Sequence, residues 1–196
     1  MNLRQDKVLY KGDVMVNEKL LINTSEMKTI IDRMSFQILE KVTDYENTYF
    51  IGIKRRGEFI SNRILNTIEQ YNKTKFKHGV LDITLYRDDL SEISSMPEVK
   101  SSSINFDING KTIILVDDVL FSGRTIRSAI EALMDYGRPA RIMLAVIIDR
   151  GHKELPIQAD IMGKYIPTKK SEVIHVKVKE IDNCDDCVTI SNREDI

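Results

Sequence analysis

Apolar residues in TSEMKTIIDRMSFQILEKVT, residues 24 to 43, recur at intervals of three and four: Met27, Ile30, Ile31, Met34, Ile38, Leu39 and Val42. That spacing lines one stripe of an amphipathic helix, with Thr24 or Ser25 as the expected cap. The preceding KVLYKGDVMVNEKLLI breaks its apolar runs at Gly12 and Asn17 and reads as a small hairpin or an arm. Residues 1–22 are therefore set apart from a main domain at 23–196. NTYFIGIK is a short strand-type run that ends in a basic turn. GEFISNRILNTIEQYN then puts Phe59, Ile60, Ile64, Leu65 and Ile68 on one helical face.

The same unit recurs downstream. HGVLDITLY is predicted as a strand, and residues 88 to 106 hold six serines and a proline, a polar connection longer than the usual one. After an Asn109-Gly110 turn, KTIILVDD reads as a buried strand and GRTIRSAIEALMDY as a helix stopped by Gly137 and Pro139. ARIMLAVIID is a further buried strand. A last segment alternates Ile174, Val176 and Val178 with His175, Lys177 and Lys179, the pattern of a strand with one wet face. Continuous apolar strands alternating with helices predict an α/β fold whose mainly parallel central sheet is covered on both faces. Ligands of such sheets bind at the carboxyl ends of the strands.

Composition narrows the function classes. The 196 residues are 42 % hydrophobic and 30 % charged, as in a globular protein, and no apolar run reaches the length of a bilayer span. The opening MNLRQDKVLYKGD has neither a secretory apolar core nor transit-peptide character, so a cytoplasmic location is expected and no membrane partner. A net charge of −1 offers no global reason to bind nucleic acid. Between Arg138 and Lys170, however, seven Lys and Arg face three acids, a local basic patch. Cys184 and Cys187 form a single CxxC. Zinc wants four ligands and a redox pair wants a cationic setting, whereas aspartates flank these thiols, so they are read as inert.

The chemistry concentrates in LVDDVLFSGRT, residues 115 to 125. Asp117 and Asp118 fall where the strand emerges from the sheet, and two adjacent carboxylates there need a cation or hydroxyls opposite them. Ser122, Gly123, Arg124 and Thr125 then open a helix, where free amides and the helix dipole favour a phosphate. Carboxylates beside a phosphate nest describe a pocket for a phosphorylated sugar. A phospho-receiver domain also pairs acids at strand ends, but it does not account for SGRT. Neither a Walker A loop nor a GxGxxG fingerprint occurs.

VDDVLFSGRT resembles the PRPP-binding motif of the type I phosphoribosyltransferases. GIKRRG, DITLYRDDL, YGRPARIMLAVIIDRGHKELPIQAD and GKYIPT are similar, more narrowly, to the PyrR-type bifunctional attenuation proteins and uracil phosphoribosyltransferases, over roughly residues 24 to 191. The resemblance implies a type I phosphoribosyltransferase fold, a parallel sheet flanked by helices with a small hood and a flexible loop. It implies an enzyme that makes UMP and pyrophosphate from uracil and PRPP with Mg²⁺, assembled as a homodimer or higher oligomer. On this chain, Asp117 and Asp118 would hold the ribose hydroxyls and touch the PRPP-bound Mg²⁺, and Ser122, Gly123, Arg124 and Thr125 the 5′-phosphate. Lys54, Arg55, Arg56 and Gly57 would meet pyrophosphate, with Arg87 closing over it from the long loop. Ile148, Asp149 and Arg150 would recognise the base largely through main-chain groups. Phe121 would either contact the base or pack beneath the loop.

The family also implies a second role, as a UMP- or PRPP-sensing RNA-binding attenuator with little catalysis. His152, Lys153 and Lys164 would be its basic contacts. Here the chain departs from the family pattern. Asp32 and Phe36 stand where a hydroxyl and a histidine are expected on the first helix, and Gln158 where an arginine is expected. An added carboxylate and a lost cation both weaken contact with phosphates, so a weak RNA hairpin interaction is expected.

Overall fold

The computed structural model describes residues 7–11, 14–86 and 102–193, with side chains from Glu18 onward. A hairpin of β1 (Lys7–Lys11) and β2 (Val14–Ile22) comes first, and β2 pairs antiparallel with a strand at the far end of the chain. Helix α1 (Thr24–Lys41) follows. Asn23, one residue before the expected cap, closes it: its side chain accepts from the Glu26 amide while the Glu26 carboxylate accepts from the Asn23 amide. This reciprocal box satisfies two otherwise orphaned donors.

The central sheet has the order β4-β3-β5-β6-β7 and is parallel throughout. Its strands are β3 (Thr48–Ile53), β4 (Lys77–Leu81), β5 (Thr112–Leu120), β6 (Arg141–Asp149) and β7 (Ile161–Tyr165). Helix α2 (Arg56–Asn72) joins β3 to β4, and α3 (Arg124–Met134) joins β5 to β6. Alternation along β5 divides the interior. Ile114 and Val116 face one core with the apolar stripes of α1 and α2, whereas Ile113 and Leu115 face the other with Ile126, Ala129 and Leu133 of α3. Met27, Met34 and Ile38 are fully buried, each contributing about 1.5–3 kcal/mol by leaving water.

A second sheet, β1-β2-β9-β8, is antiparallel and forms the hood. It includes β8 (Glu172–Lys177) and β9 (Cys187–Asn192), with the short α4 (Lys179–Asp182) between them. Ile22, Ile174, Val176, Val178 and Val188 carry it onto the α1–α2 core. The outer face of β8 is less wet than its alternation predicts. Lys177 pairs with the buried Glu18, and His175 hydrogen-bonds the Ser191 hydroxyl at 2.9 Å. Two other strands of the hood, β2 for Glu18 and β9 for Ser191, supply these partners, and neither is present in the local pattern.

Two boundaries also differ from expectation. The predicted strand over 78–86 stops at Leu81 and gives way to a 3₁₀ turn at Thr84–Tyr86, because Asp82 draws the Thr84 amide and hydroxyl into a local turn. Strand β5 runs past the acid pair to Leu120, because β6 continues the ladder as far as Asp149. The first part of the long polar connection, including Arg87, lies outside the described residues; its end is tied back by the Val80–Ser103 bridge.

Candidate active site

The sheet order turns at β3 and β5. Chain direction leads left from β3 to β4 and right from β5 to β6, so α2 leaves toward one face and α3 toward the other. A crevice opens between such strand ends, where this architecture binds ligands. The turn after β3 and the loop after β5 are its two lips.

Close approach sets the first lip. A side chain at Gly57 would put Cβ 2.3 Å from the Val116 carbonyl oxygen, and one at Gly52 would put it 2.6 Å from Glu58 Cα. With only hydrogens there, the turn at Lys54–Arg55, whose peptide bond is cis, sits flush against β5 beside Asp117. The Lys54 amide donates to the Leu81 carbonyl at 2.9 Å. Arg55 is exposed, and α2 begins at Arg56 with no side chain capping it. The Arg56 guanidinium turns toward the hood and grips Asp182 with two bonds of 2.6 and 3.1 Å. Next along α2, Arg63 holds both Glu180 and Asp186. Two arginines thus fasten α4 and the turn after it to the helix that begins at the site. Burial works against ionisation of Asp182, but the Arg56 bond and the Val178 amide keep its carboxyl below the ordinary range.

The acid pair lies on the last turns of β5. Asp117 is 6 % exposed and Asp118 somewhat more open. Each accepts from the next amide, Asp118 N–H to Asp117 Oδ1 at 2.9 Å and Val119 N–H to Asp118 Oδ1 at 2.8 Å. Burial pushes the Asp118 carboxyl up, and the attraction of Arg56, the Val119 amide and a hydrogen bond with Asp117 offset only part of that rise.

The second lip is SGRT. Gly123 takes φ +92°, the left-handed region that glycine enters without penalty, and stands at the N-cap of α3 with no capping side chain. The Arg124 amide reaches the Ser122 hydroxyl only at 3.4 Å, and the Ser122 carbonyl is held from behind by the Glu154 amide at 2.9 Å. Helix α3 has no acid in its first turn. Arg124 pairs with Glu154 at 3.1 Å, both largely exposed, an interaction that contributes about 0–1 kcal/mol.

At the end of β6 the expected base contacts separate. Ile148 is fully buried in the core. Asp149 accepts from the Gly151 amide and pairs with Lys153 at 2.9 Å, while its carbonyl takes the Ile166 amide. Arg150, 5 % exposed, donates its amide to the Leu120 carbonyl and its guanidinium to Thr168 and Glu172. The sheet ladder and local turn therefore occupy groups that the sequence offered to the base, and Phe121 alone of the four presents a half-exposed side chain. Arg150 is likewise withdrawn from the basic patch. His152 bonds the Thr168 carbonyl, Lys153 leans on Asp149, and Lys164 is exposed on β7. A cavity of about 250 Å³ is lined by Phe121, His152, Lys153, Glu154, Lys170 and Arg193.

Asp182, Asp186 and Thr168 escaped the sequence reading, because each acts on a residue far along the chain and no motif marks it. The two cysteines are half-buried and neither is in a disulfide, and among the described residues no group of three or more His, Cys, Asp or Glu could hold a metal ion. Among the same residues no helix is long and apolar enough to cross a membrane.

Comparison with known proteins agrees with this geometry. The family model for the phosphoribosyl transferase domain matches residues 20–181. The bifunctional protein PyrR of Elusimicrobium minutum is 52 % identical over 174 residues, covering 88 % of this chain and 96 % of that protein. The PyrR protein of Clostridioides difficile is 48 % identical, covering 90 % and 99 %. Among solved structures, a hypoxanthine phosphoribosyltransferase from Staphylococcus aureus superposes with a TM-score of 0.68 at 16 % identity, over 90 % of this chain and 92 % of that one, a likeness of fold. With the type I fold, the acid pair and two uncapped helix starts at one crevice, the chain belongs to the phosphoribosyltransferases, within the family of the bifunctional PyrR proteins.

Proposed function

We propose that the crevice transfers the phosphoribosyl group of PRPP to uracil, giving UMP and pyrophosphate. The observation that carries this reading is that two helices with no capping side chain at their N-caps, α2 and α3, start beside the carboxylate pair Asp117 and Asp118. Each start offers amides to an anion, and PRPP has one anionic group at each end of its ribose. In this reading Ser122 to Thr125 take the 5′-phosphate, and the turn at 54–57 takes pyrophosphate through its backbone. Asp117 and Asp118 hold the ribose hydroxyls and face the positive charge that develops at C1 as the leaving group departs. Arg87 comes over the pyrophosphate from the long loop and helps to exclude water.

A divalent cation fits this donor set only as a guest of the substrate. One or two carboxylates without a third ligand match Mg²⁺ that keeps its waters and phosphate oxygens. Bound there with PRPP, Mg²⁺ would neutralise the leaving pyrophosphate. Asp118 is the better placed of the pair to meet it, being the more open.

The test is an activity panel with PRPP, Mg²⁺ and uracil, hypoxanthine, xanthine, adenine or orotate. Uracil should be used with the highest kcat/KM; a purine or orotate preferred by a wide margin would overturn the assignment.

A regulatory role at RNA is proposed beside it, in weakened form. Asp32 is tied to Lys28 at 3.1 Å and to the Thr67 hydroxyl at 3.2 Å, and Gln158 is exposed and uncharged. Phe36 and Tyr71 make an exposed edge-to-face pair 5.0 Å apart. Lys164, Lys169 and Lys170 remain exposed, so non-specific attraction survives better than sequence recognition. Titration at two salt concentrations should show steep salt dependence and little preference for a leader-type hairpin over a scrambled one. A preference above about a thousandfold, the range of specific recognition, would show the attenuator face to be intact.

A further inference from the structure

The ring of Phe121 is held from two directions, and both holders are anchored at one residue. Phe121 and Arg150 are the first residues beyond the paired ends Leu120 and Asp149, so the ladder sets them side by side. The Arg150 guanidinium carbon lies over the Phe121 ring, 4.0 Å from its centroid. The His152 ring meets it edge-on, 5.7 Å away at 72°. Arg150 Nε donates to the Thr168 hydroxyl at 3.0 Å, its terminal nitrogen donates to the Glu172 carbonyl, and His152 Nε2 bonds the Thr168 carbonyl.

This is an uncommon use of an arginine. At 5 % exposure a guanidinium would ordinarily be expected against a carboxylate. Its hydrogen-bonded partners here are a hydroxyl and a backbone carbonyl, and its flat face is given to an aromatic ring. Guanidinium planes stack on rings in a way that an ammonium cannot reproduce. With one face taken, the half-exposed ring of Phe121, the first residue past β5, has only its other face to offer, and it lines a cavity with His152, Lys153 and Glu154.

We infer that Arg150 is a positioning residue, which fixes the ring plane of Phe121 so that its open face is a preset stacking surface for the pyrimidine. Thr168 is the post to which Arg150 is tied. Neither residue touches the base, and Arg150 makes no contact with PRPP phosphates or RNA. The inference rests on the uracil reading above and names what sets the base's plane within it. A ring clamped from behind cannot swing aside, so the same device discriminates against a larger two-ring base.

Three variants of the full chain test this, Arg150→Met, Arg150→Lys and Thr168→Val, each checked by thermal melting and assayed for uracil and PRPP separately. Loss of ring placement should raise KM for uracil about tenfold or more, within what one base–aromatic stack supplies, with PRPP KM and kcat moving much less. The hypoxanthine-to-uracil ratio of kcat/KM should rise as well. Arg150→Lys should fail to rescue; a normal uracil KM in that variant means charge alone suffices and overturns the inference, as does a rise confined to PRPP KM. Should the Arg150 variants not fold, Thr168→Val decides. It removes one hydrogen bond from a half-buried hydroxyl, so an unchanged uracil KM there counts against the clamp. In a Phe121→Leu background Thr168→Val should add nothing, and full additivity would again overturn the idea. A parent enzyme that prefers another base refutes the uracil reading through the panel alone, while the variants still report on Phe121 with that base.

Discussion

Helix α1 and the two helices at the crevice begin in opposite ways. Asn23 and Glu26 close the start of α1, and an acid sits in its first turn as the helix dipole favours. Helices α2 and α3 start at Arg55 and Gly123 without any capping side chain; α2 keeps an acid, Glu58, in its first turn, whereas α3 has none and carries Arg124 at its head. Taken as pieces of a stable fold, the second pair is poorly finished. Taken as halves of an anion site, they are unfinished where a ligand completes them. In the proposed function, stability and ligand binding fall to different helix ends, and the presence or absence of a capping side chain separates them.

The largest effect expected from breaking this contrast is at the acid pair. Asp118→Asn removes a negative charge from the place where cationic ribose develops, and kcat should fall by about 10²–10³, the loss seen when one preorganised electrostatic group is removed. PRPP binding should weaken far less, since that charge is needed chiefly in the transition state. Steady-state kinetics with a PRPP titration separates the two, and a kcat within a few-fold of the parent would remove Asp118 from the mechanism. The same variant should not lose stability. The folded pKa of Asp118 is raised, so the folded chain holds more protons than the unfolded one, and stability falls as pH rises through that window. At neutral pH the asparagine avoids the cost of the buried charge. Its melting temperature should be unchanged or higher by about 2–4 °C, roughly 1 kcal/mol in a domain of this size, and less dependent on pH.

Next in size is Gly57→Ala. Its Cβ would stand 2.3 Å from a backbone oxygen of β5, an atom that cannot step aside. Overpacking of this kind costs about 1–3 kcal/mol. The lip must shift to relieve it, so PRPP affinity should fall with stability, as melting curves and PRPP binding measured on one sample would reveal. Intact PRPP affinity in a destabilised variant would mean that the 54–57 turn does not face the substrate.

The smallest effect is expected at the finished end. Asn23→Ala opens the capping box of α1 and should cost about 1 kcal/mol of stability, with kcat and both KM values unchanged. A denaturant midpoint measures the first and the uracil assay the second. If activity drops while stability holds, α1 is not the purely structural helix that its cap suggests.

The corrections to the sequence reading share a cause with its successes. The acid pair and SGRT were legible because eleven consecutive residues carry the whole strand, turn and helix start. The α1 stripe was legible because its seven apolar positions repeat at the period of a helix. The setting of the Arg150 side chain was not legible, since the same residue in RGH would serve equally well as a surface cation. Only the placement of Thr168, Glu172 and Phe121 around it shows a buried guanidinium. β7 and β9 were not foreseen, for five or six residues with little alternation carry no signal until a neighbouring strand pairs with them.

The sequence by itself determined the alternation of buried strands and amphipathic helices, and with it a parallel sheet at whose strand ends the candidate site lies. It also determined the chemical character of that site, since carboxylates, small hydrogen-bonding residues and a glycine stand contiguous in the chain. Local periodicity and local motif survive in one dimension because their partners are a few residues apart. Only the tertiary structure decided which arginines remain available. Arg56 is committed to Asp182, 126 residues away, and Arg150 to Thr168 and Phe121. A charged side chain several ångströms long can turn toward any of several partners, and burial and hydrogen-bond geometry, set by the packing of distant segments, select one.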